Sequence, residues 1–182
     1  MIPFFGVEIK EQCFTLTKHS PAGNFGTSRT KREAALSAFA GFTVKNMKAT
    51  VVWKEKIAFL GKSESGHTVR MDSAVEKGGD NSGPSPMELM LISLGGCTGM
   101  DVAAFLKKRR VEPEGLEVEI EAERAKEHPQ VYTKATILYK IKGEGIKESD
   151  VKWAVELSQN KYCSVTAMFS KTAQIDFRWK IN

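Results

Sequence analysis

Ser85-Pro86-Met87-Glu88-Leu89-Met90-Leu91-Ile92-Ser93-Leu94-Gly95-Gly96-Cys97-Thr98-Gly99-Met100 organises the whole chain. Ser85 is a good N-cap, and Pro86 suits the first helical position. Glu88, three residues after the cap, completes a capping box. The helix is expected to run to about Lys108, where Lys107, Lys108, Arg109 and Arg110 suit the negative end of the macrodipole. Its apolar residues, from Leu89 through Leu106, cover most of the circumference, which is the pattern of a helix buried all round. Gly95, Gly96 and Gly99 each cost about 0.8–1 kcal/mol relative to alanine in a helix interior. Stripping the surface around Cys97 in this way predicts that another element approaches closely there.

On either side lie strands. Thr50 to Leu60 is rich in Val, Trp, Ile and Phe and reads as one strand; after the turn cluster Gly61–Gly66, His67 to Ser73 reads as a second. Gly78 to Pro84 is a loop. Beyond the helix, Leu116, Val118, Ile120 and Ala122 alternate with Glu117, Glu119, Glu121 and Glu123, giving a strand with one wet face. Val131 to Ile141 is its partner, across a turn at His128-Pro129-Gln130. Ser149 is read as the cap of a second helix, Asp150 to about Lys161. A break at Tyr162-Cys163-Ser164 precedes a shorter helix, Val165 to Lys171, and Ile175 to Ile181 is the last strand. The order β-β-α-β-β-α-α-β from Met47 is α+β, with antiparallel hairpins expected.

The 182 residues carry a net charge of +5, and +3 of it lies in residues 1–46. Those residues hold the turn-rich stretch Ser20–Ser28 and a short helical patch, Arg32 to Ala40. They read as an N-terminal arm or extension before a domain at 47–182, and Met47 itself is a candidate start. The nearly balanced body argues against nucleic acid. The longest stretch there without charge, Leu89 to Met100, is short of the roughly 20 apolar residues of a bilayer span. The start has no basic flank and no cleavage site, so a cytoplasmic protein with free thiols is expected.

Three cysteines exclude a fully paired disulfide framework. Cys97 lies on the glycine-flanked helix. Cys163 lies just before a helix start, where a thiolate is stabilised. The pair suits a nucleophile and a resolving partner; equally, each suits a small residue filling a tight corner. Cys13, in the arm, is assigned nothing. Zinc wants clustered ligands, and Cys97, Cys163 and His67 are widely spread in sequence, so no metal is expected. No phosphate loop is present, and no cofactor is expected.

Ser85-Pro86-Met87-Glu88-Leu89, Gly95-Gly96-Cys97 and Lys161-Tyr162-Cys163-Ser164-Val165 resemble the OsmC/Ohr family of thiol peroxidases, and most of all its less characterised, YhfA-like branch. The resemblance spans Met47 to Ile181, including Thr50-Val51-Val52-Trp53 and Gly66 to Asp72. It implies an OsmC-like intertwined homodimer, with two central helices flanked by antiparallel sheets. It also implies thiol-dependent reduction of organic hydroperoxides, in oxidative stress defence. Cys97 matches the family's peroxidatic cysteine and Cys163 its resolving one. A dithiol or a lipoylated protein is the implied reductant, and an apolar pocket near Met87, Met90, Phe105 and Phe169 is the expected seat of a greasy tail.

The family pairs an Arg with a Glu directly after the Pro. Here Met87 follows Pro86, and Glu88 comes one later. Glu88 is the third candidate catalytic residue. Nine residues before Cys97, it stands about 13.5 Å away along a straight helix, so it acts only through a bridging cation. Lys62 and Arg70 are the candidates for the missing Arg, with His67 as a further donor. The alternative is a non-enzymatic redox-sensing or small-molecule-binding dimer of the same fold.

Overall fold

The computed structural model describes residues 46–182. The expected arm features, including Cys13 and the Arg32–Ala40 patch, lie outside the described residues. The strands form two three-stranded sheets. The first holds β1 (Ala49–Glu55), β2 (Ala58–Ser63) and β3 (Thr68–Met71), all antiparallel in the order β1-β2-β3. The single strand expected over Thr50–Leu60 is thus a hairpin. It turns at Lys56, whose φ of 45° is left-handed. Lysine carries no signature for that conformation, and so the turn is not marked in the sequence.

A loop with one short 3-10 turn (Val75–Lys77) joins this sheet to the central helix. Asp72 knots it together. One carboxylate oxygen accepts from the Ser73 N–H at 2.8 Å. The other accepts from the N–H groups of Asp80 and Ser82, both at 3.0 Å, and from the Ser82 hydroxyl at 2.6 Å. Gly79 fits because a Cβ there would sit 2.1 Å from the Ser73 carbonyl oxygen.

The central helix, α1 (Pro86–Lys108), starts as the sequence dictates. The Glu88 N–H donates to the Ser85 hydroxyl, and the Ser85 N–H donates to the Glu88 carboxylate at 2.7 Å. α1 is long and apolar enough to pass for a membrane span on length and composition alone. Here it packs against a second sheet and the later helices. Its buried stripe is Leu94, Thr98, Val102, Phe105 and Leu106. The expectation of burial all round is not met within one chain, because Ile92 and Met100 are 60% and 73% exposed.

The second sheet is β4 (Gly115–Arg124), β5 (Tyr132–Lys142) and β6 (Gln174–Ile181), in the order β4-β5-β6. β4 and β5 are antiparallel. Leu116, Val118, Ile120 and Ala122 face Ile141, Tyr139, Ile137 and Ala135 on the core side. On the wet side Lys140 pairs with Glu117 at 3.6 Å and with Glu119, the cross-strand arrangement that tolerates so many glutamates. β6 lies parallel to β5 rather than antiparallel. The two helices between them, α2 (Glu148–Leu157) and α3 (Ser164–Phe169), supply the long crossover that a parallel return needs. Lys147 rather than Ser149 is the N-cap of α2. The α+β class holds, with one antiparallel and one mixed sheet.

The element that approaches the helix glycines is β4 of the same chain. A Cβ at Gly95 would stand 3.3 Å from Ile120 Cδ1, and one at Gly99 3.3 Å from Val118 Cγ2. Gly96 points elsewhere, with only Met100 Cε at 4.0 Å.

Candidate functional site

α1 and the N-terminus of α3 build the site between them. Cys97 lies on α1, half-buried. One turn later, on the same face, comes Asp101. Cys163 arrives from the other side and is 3% exposed. Between α2 and α3 the backbone opens into a π-helical turn, Ser158–Tyr162, closed by the Cys163 N–H donating to the Ser158 carbonyl at 2.9 Å. Such turns recur at functional sites, because one extra residue re-aims the side chains that follow. Cys163 then caps α3, with its sulfur accepting from the Thr166 N–H at 3.3 Å.

The result is a cluster of three groups. Cys97 Sγ, Cys163 Sγ and an Asp101 carboxylate oxygen all lie within 4.8 Å of one another. Both thiols are free. A helix N-terminus was expected to ease ionisation of Cys163, but burial wins. It is the largest influence and pushes the Cys163 thiol up; the bonds from Thr166 pull it down, and neighbouring Cys97 pushes it up again.

A buried polar network backs the cluster. The Ser158 hydroxyl donates to Asp101 Oδ2 at 2.9 Å and meets the Thr98 hydroxyl at 2.9 Å. Thr98 also bonds the Tyr139 hydroxyl. The Gln159 amide donates to Thr98 at 2.9 Å and to Tyr139 at 2.6 Å, and its oxygen accepts from Thr166 at 3.2 Å. Tyr139 is pushed up to about 12, chiefly by burial, so it stays a neutral phenol. Every buried side-chain polar atom among the described residues has a partner. That fixes the network in one arrangement.

The other expected site residues are elsewhere. Glu88 is exposed and occupied by its capping box, and Ser85 holds its carboxyl below the usual range. Arg70 bonds Glu55 at 2.9 Å and Ser82 at 2.7 Å within the first sheet and its loop. Lys62 and His67 are exposed. Met87, Met90 and Phe169 do line a cavity of about 470 Å³, together with Tyr132, Met168 and Arg124. Phe105 does not; it is buried against Trp153 and Tyr162. Neither cysteine lines this cavity. Asp101 is the residue that sequence reasoning passed over. Its signal was available: the first charge after a long uncharged run, four residues after Cys97.

Two free thiols meeting where a central helix crosses the N-terminus of a shorter one, over a mixed sheet, define a dithiol protein of α+β architecture. The chain belongs to the OsmC-like protein family, whose model matches residues 79–178. It is 38% identical over 135 residues to protein YhfA of Escherichia coli K12, covering 74% of this chain and 98% of that protein. Among solved structures it is similar to a hypothetical protein from Aquifex aeolicus VF5, with TM-score 0.68 and 30% identity over 76% of this chain and 98% of that one. An organic hydroperoxide resistance protein, OsmC, from Legionella pneumophila shares the fold. Its TM-score is 0.59 at 10% identity, over 76% of this chain and 99% of that one.

Proposed function

We propose that this chain is a thiol-dependent peroxidase that reduces organic hydroperoxides, in oxidative stress defence in the cytoplasm. The observation that carries the proposal is the convergence of Cys97 and Cys163, far apart in sequence, to within 4.8 Å. Cys97 is the more open of the two and attacks first. Its thiolate takes the terminal oxygen of the O–O bond, becoming a sulfenic acid while the alkoxide leaves and is protonated to the alcohol. The Cys163 thiol then condenses with the sulfenic acid, expelling water and forming the disulfide. A dithiol, free or on a lipoylated protein, returns both thiols.

A homodimer is part of the proposal. It is supported by the Ile92–Gly96–Met100 face of α1 and by β1, which is exposed along its whole length, with Trp53 63% open. A single chain that leaves so much apolar surface uncovered fits a shared core. The cation that Cys97 needs comes across that interface, from Lys62, Arg70 or another side chain, and Glu88 orients it.

The test is consumption of an organic hydroperoxide by purified protein with a dithiol. The reading predicts turnover that Cys97→Ser abolishes, while Cys163→Ser leaves a sulfenic acid that a dimedone-type probe traps. Thiol oxidation without turnover supports a second reading, the redox-sensing or small-molecule-binding dimer. Two observations favour that reading: the Asp101 carboxylate beside the thiols, and a cavity whose lining includes neither of them.

A further inference from the structure

Peroxide chemistry leaves Asp101 unexplained. The peroxidase reading gives the Asp101 carboxylate, within 4.8 Å of both sulfurs, no part in the reaction. Among the described residues Asp101 takes part in no ion pair. Ionising both thiols would place three negative charges together. The group that suits such a donor set is a soft divalent cation.

We propose that Cys97, Asp101 and Cys163 form a binding site for a thiophilic divalent metal ion, zinc above all, with water in the fourth position. The donors are two sulfurs and one carboxylate oxygen, the mixed set that borderline-soft zinc accepts. With bonds of about 2.3 Å to sulfur and 2.1 Å to oxygen, the ligand atoms of a tetrahedral zinc stand about 3.6–3.8 Å apart. The three groups already lie within 4.8 Å of one another, so side-chain adjustments of about an ångström close the site. Cys97 and Asp101, at i and i+4, project from one face of a single helix, as in helical metal motifs.

The supporting shell is also in place. Ser158 donates to Asp101 Oδ2 at 2.9 Å, which orients the carboxylate. The Thr166 N–H donates to Cys163 Sγ, a bond that strengthens when the sulfur is a thiolate. The wide spacing in sequence is no obstacle, because the π-helical turn brings Cys163 to α1. His67 takes no part.

The experiment uses the full chain, reduced with a phosphine and freed of metal, titrated with cobalt(II) and then with zinc(II). One cobalt per chain is expected, with thiolate-to-cobalt charge-transfer absorption and the strong ligand-field bands of a four-coordinate site, all displaced by one zinc. Cys97→Ser and Cys163→Ser should each lose about half of the charge-transfer intensity, and Cys13→Ser none. Asp101→Asn should keep that absorption and weaken affinity by at least the ~10–100-fold seen when a supporting partner is lost. Circular dichroism checks that each variant is folded. Failure of the reduced wild type to bind cobalt, binding without charge-transfer bands, or equal binding by the double variant lacking both Cys97 and Cys163 overturns the site. None of these outcomes depends on peroxidase turnover, so the site stands or falls separately from that reading.

Discussion

Ser158→Ala tests whether the polar network holds the thiol cluster together. Ser158 is fully buried, and its hydroxyl is the one donor recorded to Asp101 among the described residues. Replacing it leaves too small a space for a cavity to matter. The cost is therefore the lost hydrogen bond to a charged acceptor, about 1.5–3 kcal/mol. Asp101 is half-buried, so water recovers part of it, and Thr98 keeps its bonds to Gln159 and Tyr139. The lower part of the range, about 1.5–2 kcal/mol, is the expected loss. With a urea slope of about 1–3 kcal/mol per molar, the midpoint falls by roughly 0.5–2 M with the slope unchanged. A double-mutant cycle with Asp101→Asn isolates the pair, and a coupling of at least about 0.5 kcal/mol is expected for groups in contact. Losses that simply add, or a midpoint that does not move, would show that the Ser158–Asp101 bond does not hold this site.

Asp72 and Gly96 give two more predictions. Four hydrogen bonds hold the Asp72 carboxyl far below its ordinary value of 3.8, the Ser82 hydroxyl contributing most. A depressed carboxylate contributes stability that is present above its unfolded value and lost as the pH falls through the folded one. Asp72→Asn should lower stability at neutral pH and flatten its decline below about pH 4; acid titration of the melting temperature reads both. At Gly96 an added methyl meets, among the described residues, only an ordinary van der Waals contact with Met100 Cε at 4.0 Å, so Gly96→Ala should gain about 1 kcal/mol from helix propensity. In the proposed dimer the same methyl enters the interface and weakens association, which sedimentation measures. Higher stability with unchanged association would mean that this face is not the contact.

Local signals in the sequence were reliable where a residue acts on its own neighbourhood. Ser85, Pro86 and Glu88 set the start of α1 by bonds within one turn, and the Glu/apolar alternation set β4 and its wet face. What escaped depends on distant partners. The parallel return of β6 is decided by how α2 and α3 cross the sheet. The Lys56 turn uses a residue with no turn signature. The network of Thr98, Tyr139, Ser158 and Gln159 draws from three elements, and no spacing announces it. Cys97 and Cys163 were legible as a pair by resemblance, and folding supplied the carboxylate beside them. The exposed face of α1 is the instructive difference. Its apolar pattern reads as burial all round, yet one chain buries only part of the circumference.

The most direct measurement is disulfide mapping after one equivalent of an organic hydroperoxide. The reduced, metal-free protein is quenched with an alkylating agent and digested, and the peptides are weighed. The account predicts a single new species in which the Cys97 and Cys163 peptides are joined, two hydrogens lighter than the separate thiols, with Cys13 alkylated. Recovery of Cys97 and Cys163 as separately alkylated peptides, or of Cys97 oxidised to the sulfinic acid with Cys163 untouched, would contradict it.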